Sequence, residues 1–367
     1  MRTLNGQQLE DLIRGCTILG TGGGGSPKRG LQLIQSDLSA GREFKLISLE
    51  EVPDDALVAS PYMCGSVSPE RVGKGASQGD MEMECLDAFK ALEEYLGQKF
   101  YAAIATEIGG GNTAVALSVA ARLGIPIVDA DPAGRSVPEL QHTTFYIKNV
   151  SISPLAVATA KGDVVILKEV ADDFRAEILV RALAVVSGNR AGVTDHPLQG
   201  QALQGSVIPG TLSRAMSIGK AVREAHSSNK DPVEAATLAG KGYLLFKGVV
   251  TQASWKIEEG FTIGELFISG QVDNHGHQYR IWYKNEHIVS WFDDEPDVTV
   301  PDLICVLNPN TGEAITNPNC KQGIEVTVIG YPAPEMWRSP KGLQLFGPKH
   351  FGYELQYKEI EKNRRLN

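Results

Sequence analysis

Between residues 44 and 131 the chain alternates short apolar runs with longer amphipathic ones, and this alternation constrains the fold most tightly. "FKLISL" and "ALVASPYM" read as strands, and "DMEMECLDAFKALEEYLG" as an amphipathic helix with Asp80 as N-cap and Gly97 as stop. "FYAAIAT" reads as a buried strand, "GGGNTAVALSVAARLG" as a loop and an apolar helix capped by Asn or Thr, and "IPIVDAD" as a further strand. Strands joined through helices cross over right-handedly and lie parallel, so the pattern predicts an α/β domain with a largely parallel sheet. Upstream, residues 5–14 form a short amphipathic helix. Ser26-Pro27 then pairs an N-cap with a proline at the first helical position and starts a helix to about Leu38.

Residues 151–170 read as a hairpin turning at Gly162, and three helical patterns follow between residues 171 and 240, one capped near Thr211. From about Tyr243 the texture changes to short strands broken by Gly, Asn, Asp and Pro, the pattern of a β-rich domain, a sandwich or barrel. The expected division is residues 1–168, an N-terminal α/β domain with Gly-rich ligand loops, and residues 169–367, helices followed by the C-terminal β-rich domain. The allegiance of residues 170–240 is open.

The function classes narrow with composition. A net charge of −9 argues against nucleic acid as a partner, because phosphate neutralisation requires basic clusters; the short "KNRR" reads as a solvated tail. No run reaches the roughly 18 apolar residues of a membrane span, and the polar start lacks the apolar core of a signal peptide. The five cysteines, Cys16, Cys64, Cys85, Cys305 and Cys320, form no CxxC pair and fit a reducing cytoplasm. Size and class lead us to expect a homo-oligomer.

"GTGGGG" formally matches the dinucleotide pattern, but a helix precedes it where a strand belongs, and Asp37 and Glu43 fall in a helix and a turn. The Walker pattern fails too, because Ser26-Pro27 stands where lysine and a hydroxyl residue belong. What remains is bare backbone at a helix start, through Thr21, Gly22, Gly23, Gly24, Gly25 and Ser26, suited to a strongly polar ligand.

Other unusual stretches follow predicted strands: "CGSVSPERVGKG" (64–75), "EIGGGN" (107–112) and "DADPAGRSVPELQ" (129–141). In an open parallel sheet such loops converge outside the carboxyl ends of the strands. Glu107 ends an apolar strand, where an acid must be paired or perturbed. Gly110, Gly111 and Asn112 cap the next helix and can face a ligand. Arg135 is suited to neutralise the acids or hold a substrate carboxylate, and Cys64 is a small buried hydrophobe or a nucleophile. Asp129 and Asp131 cap a turn at Pro132 or, with Glu139 and His142, form a set able to bind a divalent metal. His275 and His277 read as a hairpin turn, and the acids 293–297 as a solvated run.

The motifs "LGTGGGGSP", "EIGGGN", "DADPAGRSVPELQ", "KNEHIVSW", "PDLICVLNPNTGEAI" and "GYPAPEMWRSPKGLQLFGPKHFGY" resemble the S-methyl-thiohydantoin desulfurase-like family over nearly the whole chain, in the family's order. The resemblance implies an N-terminal α/β domain, a C-terminal β-rich domain, and a hydrolase-like role on thiohydantoin or hydantoin-type rings. It also implies association with hydantoinase and oxoprolinase-type proteins. The chain departs from the family at "CGSVSPE", where a glycine-alanine-proline stretch is expected. Hydrolysis of such a ring calls for activated water, for which Glu107 or Asp131 is the base, directly or through a metal. It also calls for backbone amides of residues 22–25 or 109–111 at the oxyanion, with Arg135 on a substrate carboxylate. Two other readings fit the same residues: a non-catalytic subunit that binds a small ligand, and a nucleotide-dependent enzyme.

Overall fold

A computed structural model describes residues 1–65, 83–317 and 319–363. The strands of the first half are β1 (Arg2–Leu4), β2 (Phe44–Ile47), β3 (Leu57–Gly65), β4 (Ala102–Ala103), β5 (Ile127–Val128), β6 (Ala130–Asp131), β7 (Leu155–Ala158), β8 (Val164–Leu167), β9 (Arg190–Gln199) and β10 (Ile208–Pro209). All except β6 and β10, which pair with each other, form one sheet in the order β1-β2-β5-β4-β3-β9-β7-β8. Its centre, β2 to β3, is parallel, and its flanks are antiparallel. The expected α/β class with a largely parallel sheet is therefore present as a mixed sheet. Apolar α4 (Asn112–Leu123) is buried against it, and Gly124 ends that helix in the left-handed conformation.

Asn5 caps α1 (Gly6–Leu19) through a reciprocal box with Gln8. Leu9, Leu12, Ile13 and Cys16 recur at helical spacing and are buried. The helix runs past the expected residue 14 and takes up Cys16–Leu19, so it delivers the chain directly into the glycine loop without a strand. Ser26 accepts from the Arg29 amide and Pro27 opens α2 (Pro27–Ser39), as the sequence predicts. The helix read in "DMEMECLDAFKALEEYLG" is α3 (Met83–Leu96); its expected cap Asp80 and the loop 66–75 lie outside the described residues, as does the end of "KNRR".

The middle of the chain serves the first sheet. The hairpin at Gly162 is β7–β8, and β9 enters between β3 and β7. After α5 (Thr144–Ile147), α6 (Asp173–Val186) and α7 (Gly200–Leu203) comes α8 (Thr211–Ser227), which packs along α1. There a Cβ on Gly15 would lie 1.7 Å from the Ala215 carbonyl oxygen, so only glycine permits that crossing. The short α9 (Pro232–Ala239) leads to the second sheet.

That sheet contains β11 (Tyr243–Glu258), β12 (Phe261–Gly270), β13 (Gln278–Lys284), β14 (Glu286–Phe292), β15 (Glu295–Thr299), β16 (Leu303–Leu307) and β17 (Glu325–Tyr331). It is antiparallel throughout, in the order β15-β14-β13-β12-β11-β17-β16. β14 and β15 also approach β16, so the sheet curls into a half-barrel rather than a sandwich. Its core holds Phe246, Tyr279, Ile281, Val306 and Val328. His275, His277 and residues 293–296 are exposed, as the turn and solvated-run readings require, but Asp297 departs from the solvated run: it is half-buried in β15 and accepts from the Tyr279 hydroxyl (2.7 Å).

Candidate functional site

A cavity of about 750 Å³ opens where the ends of β3 and β4 meet the glycine loop and the start of β14. Its lining includes Gly22–Ser26, Met63–Gly65, Glu107, Asn112, residues 137–140 and Glu286. Both halves of the chain therefore contribute to one wall, at a volume suited to a small ligand.

The glycine loop has two neighbours at backbone distance. A Cβ on Gly23 would lie 1.8 Å from Glu286 Oε1, so the bare backbone makes room for that carboxylate. Gly24, at φ +71°, would put a Cβ 2.6 Å from Gly109 Cα, where the two glycine-rich loops cross. The Gly24 carbonyl accepts from the amides of Gly111 (2.8 Å) and Asn112 (3.2 Å), and the Gly24 amide donates to Glu286 Oε1 (3.1 Å). The Gly23 amide is taken by the Gly20 carbonyl. The amides of Gly25 and Ser26, both on the cavity wall at the start of α2, donate to no acceptor among the described residues. Their N–H groups and the helix dipole favour negative charge at that point.

Two buried carboxylates face this loop. Glu107 Oε1 accepts from Asn112 Nδ2 (2.8 Å) and Oε2 from the Val137 amide (2.8 Å). Asn112 Oδ1 in turn accepts from the Met63 amide, which ties the acid to the end of β3. Burial pushes Glu107 up to about 7 against these hydrogen bonds and the Arg135 charge. Burial, and then repulsion from Glu107, raise Glu286 well above the usual carboxylate range, and its Oε2 has no partner among the described residues. The two acids interact, so they are best described as a pair that retains a proton near neutrality. Beside them His287 is buried, with Nδ1 at the Ile304 carbonyl and Nε2 at Asn317 Oδ1; burial pulls it down to about 4, leaving it neutral.

Several expected site residues lie elsewhere or are otherwise engaged. Arg135 is fully buried, and its five N–H groups go to the carbonyls of Ser136, Pro301, Asp302 and His287 and to Thr21 Oγ1. It has no donor left for a substrate carboxylate and instead joins the two halves behind the acids. Thr21 is buried in that contact. Asp131, pushed up to about 7 by burial, caps its own turn through the amides of Ala133 and Gly134 and does not line the cavity. Asp129 binds the Ser213 amide at the start of α8. Asp129 and Asp131 therefore do not join Glu139 and His142; His350 does. Gly110 and Gly111 pack under Pro27 and Gly25, behind the wall. Cys64 lines the cavity, but burial pushes its thiol up to about 12 despite the nearby Arg181, so it is protonated at neutral pH and a poor nucleophile.

Glu286 is the residue that reading the sequence for sites passes over. "KNEHIVSW" reads as a strand, and its signal is a lone acid opening an otherwise apolar run; every residue from Glu286 to Trp291 is buried.

Among the described residues no helix is long and apolar enough to cross a membrane. The fold is similar to that of a protein from Chromobacterium violaceum known from its crystal structure, with a TM-score of 0.79, 23% identity, and coverage of 98% of this chain and 100% of that one. No curated protein matches. The models of the S-Me-THD-like N-terminal and C-terminal domains match residues 7–169 and 171–360, and the chain therefore belongs to the S-Me-THD-like family.

Proposed function

We propose that the protein hydrolyses a thiohydantoin or hydantoin-type ring in the cavity between the glycine loop and β14. One observation carries this reading: a buried carboxylate pair, Glu107 and Glu286, lies on the same wall as the unpaired amides of Gly25 and Ser26. Membership of the S-Me-THD-like family supports the substrate class.

The division of labour follows from the environments. Both Glu107 oxygens accept hydrogen bonds, which favour its charged form, so Glu107 acts as general base, taking a proton from water as its oxygen bonds to the thioimidate or imide carbon. The Gly25 and Ser26 amides receive the negative charge that develops at the ring. Glu286 retains its proton and gives it to the leaving sulfur or nitrogen as the C–S or C–N bond breaks. The exposed Lys28 at the mouth meets an acidic substituent, the role expected of Arg135. Asp131 has no part in this scheme, and Cys64 is a wall residue.

The test is turnover of S-methyl-thiohydantoin and hydantoin, followed by thiol release and by ring absorbance. Glu107→Gln and Glu286→Gln are each expected to lower kcat by at least ~100-fold with little loss of Tm, the usual contribution of a general acid or base, while Cys64→Ser keeps turnover. Wild-type turnover in both glutamine variants sinks the scheme. Thermal stabilisation by the ring without product supports the binding-subunit alternative instead.

A further inference from the structure

Glu139, His142 and His350 bring one ligating atom each to a common point, all within 4.8 Å of one another, although 208 residues separate the two histidines. The two Nε2 atoms face each other at 3.0 Å, and Glu139 Oε2 lies 3.6 Å from His350 Nε2. Two imidazole nitrogens at this distance must share either a proton or a cation. We propose that they hold a divalent first-row transition metal beside the cavity, in a two-histidine, one-carboxylate site. This inference does not rest on the ring-hydrolysis reading.

The spacing of the nitrogens favours a metal. Two metal–nitrogen bonds of about 2.1 Å at a right angle put the nitrogens roughly 3.0 Å apart, as found here. The rings are fixed by an apolar shell: His142 packs on Phe346 at 4.8 Å between centroids, and His350 stands edge-on to Phe351 at 4.9 Å. Gln141 and Lys284 donate to the two Glu139 oxygens and orient them, as outer partners of a ligating carboxylate do. Imidazole donors favour Zn²⁺, Fe²⁺ or Ni²⁺ over Mg²⁺ and Ca²⁺, which take oxygen ligands. Glu139 lines the cavity, which puts the cluster beside it. The Lys284 charge beside Glu139 moderates the affinity.

The test uses the full chain, stripped with a chelator and dialysed against Zn²⁺ or Co²⁺. Bound metal is counted by mass spectrometry, and Co²⁺ is read from its visible absorption. The expected result is about one equivalent per chain, with His350→Gln and Glu139→Gln each weakening binding at least ~10-fold and Lys284→Met tightening it. His350 is partly exposed, so its variant is expected to fold, and its Tm without metal checks this. Absence of saturable binding, or binding unchanged in a folded His350→Gln protein, overturns the proposal and leaves a plain histidine–histidine hydrogen bond. Metal content is read without substrate, so either result stands whether or not the ring is hydrolysed.

Discussion

Gly23→Ala places a carbon 1.8 Å from Glu286 Oε1 and drives the carboxylate off the Gly24 amide. We expect it to cost about 1–3 kcal/mol in stability, as overpacking does, and to remove activity. Gly41→Ala is the control: its φ of +75° makes the change costly by about 1–2 kcal/mol, but nothing lies within 4 Å of the added carbon, so activity should be unchanged. Denaturant melts with kcat/KM separate the two. Glu107 also sets a pH dependence. A base pushed up to about 7 gains its active form as protons leave, so kcat/KM should rise with pH through about 7. Asn112 donates to the charged form of Glu107, and losing that bond disfavours it, so Asn112→Ala should move the rising limb to higher pH. The sequence singles out Glu107 because an acid ending an apolar strand is conspicuous. It does not single out Glu286, because what raises Glu286 is burial and the charge of Glu107, and both come from parts of the chain distant in sequence.

Among the elements, the long regular helices were legible because each carries its own period and its own cap: Asn5 on α1, Ser26 on α2, Gly124 after α4. β9 was not legible. "RAGVTDHPLQ" contains Asp195, His196 and Pro197, and only its neighbours β3 and β7 make it a strand. Nor could the sequence place Arg135, whose partners lie in β14 and in the turn before β16. Seen from these elements, Arg135 is a rivet between the two halves. Arg135→Met leaves four buried carbonyls without their donor and should destabilise the protein by about 3–5 kcal/mol. Loss of a residue that held a substrate carboxylate would instead raise KM and leave the melt unchanged, so equilibrium unfolding beside a KM measurement decides between the two.

At the scale of the molecule, a second buried polar group couples the first sheet to pH. His196 Nδ1 lies 2.9 Å from Asp195 and Nε2 3.7 Å from Asp173, on the β9–α6 side of the sheet. Burial disfavours its charge, but the two aspartates outweigh burial and raise it from 6.5 to about 9. Its folded value exceeds its unfolded one, so its contribution is complete below about pH 6.5 and is lost as pH rises through about 9. The Tm should fall across that window by the equivalent of at most about 3 kcal/mol, and His196→Gln should flatten the curve. The interleaving of the halves has a consequence for heredity. β9 belongs to the stretch matched by the C-terminal family model, yet it completes the first sheet, and Glu286 comes from that same stretch to meet Glu107. A gene cut near codon 170 would leave one product with an open sheet edge and half an acid pair, and the other with a strand and a glutamate that have nowhere to dock. Recombination cannot shuffle these two halves as independent modules, so the lineage has to pass them on as one reading frame or as two products that reassemble.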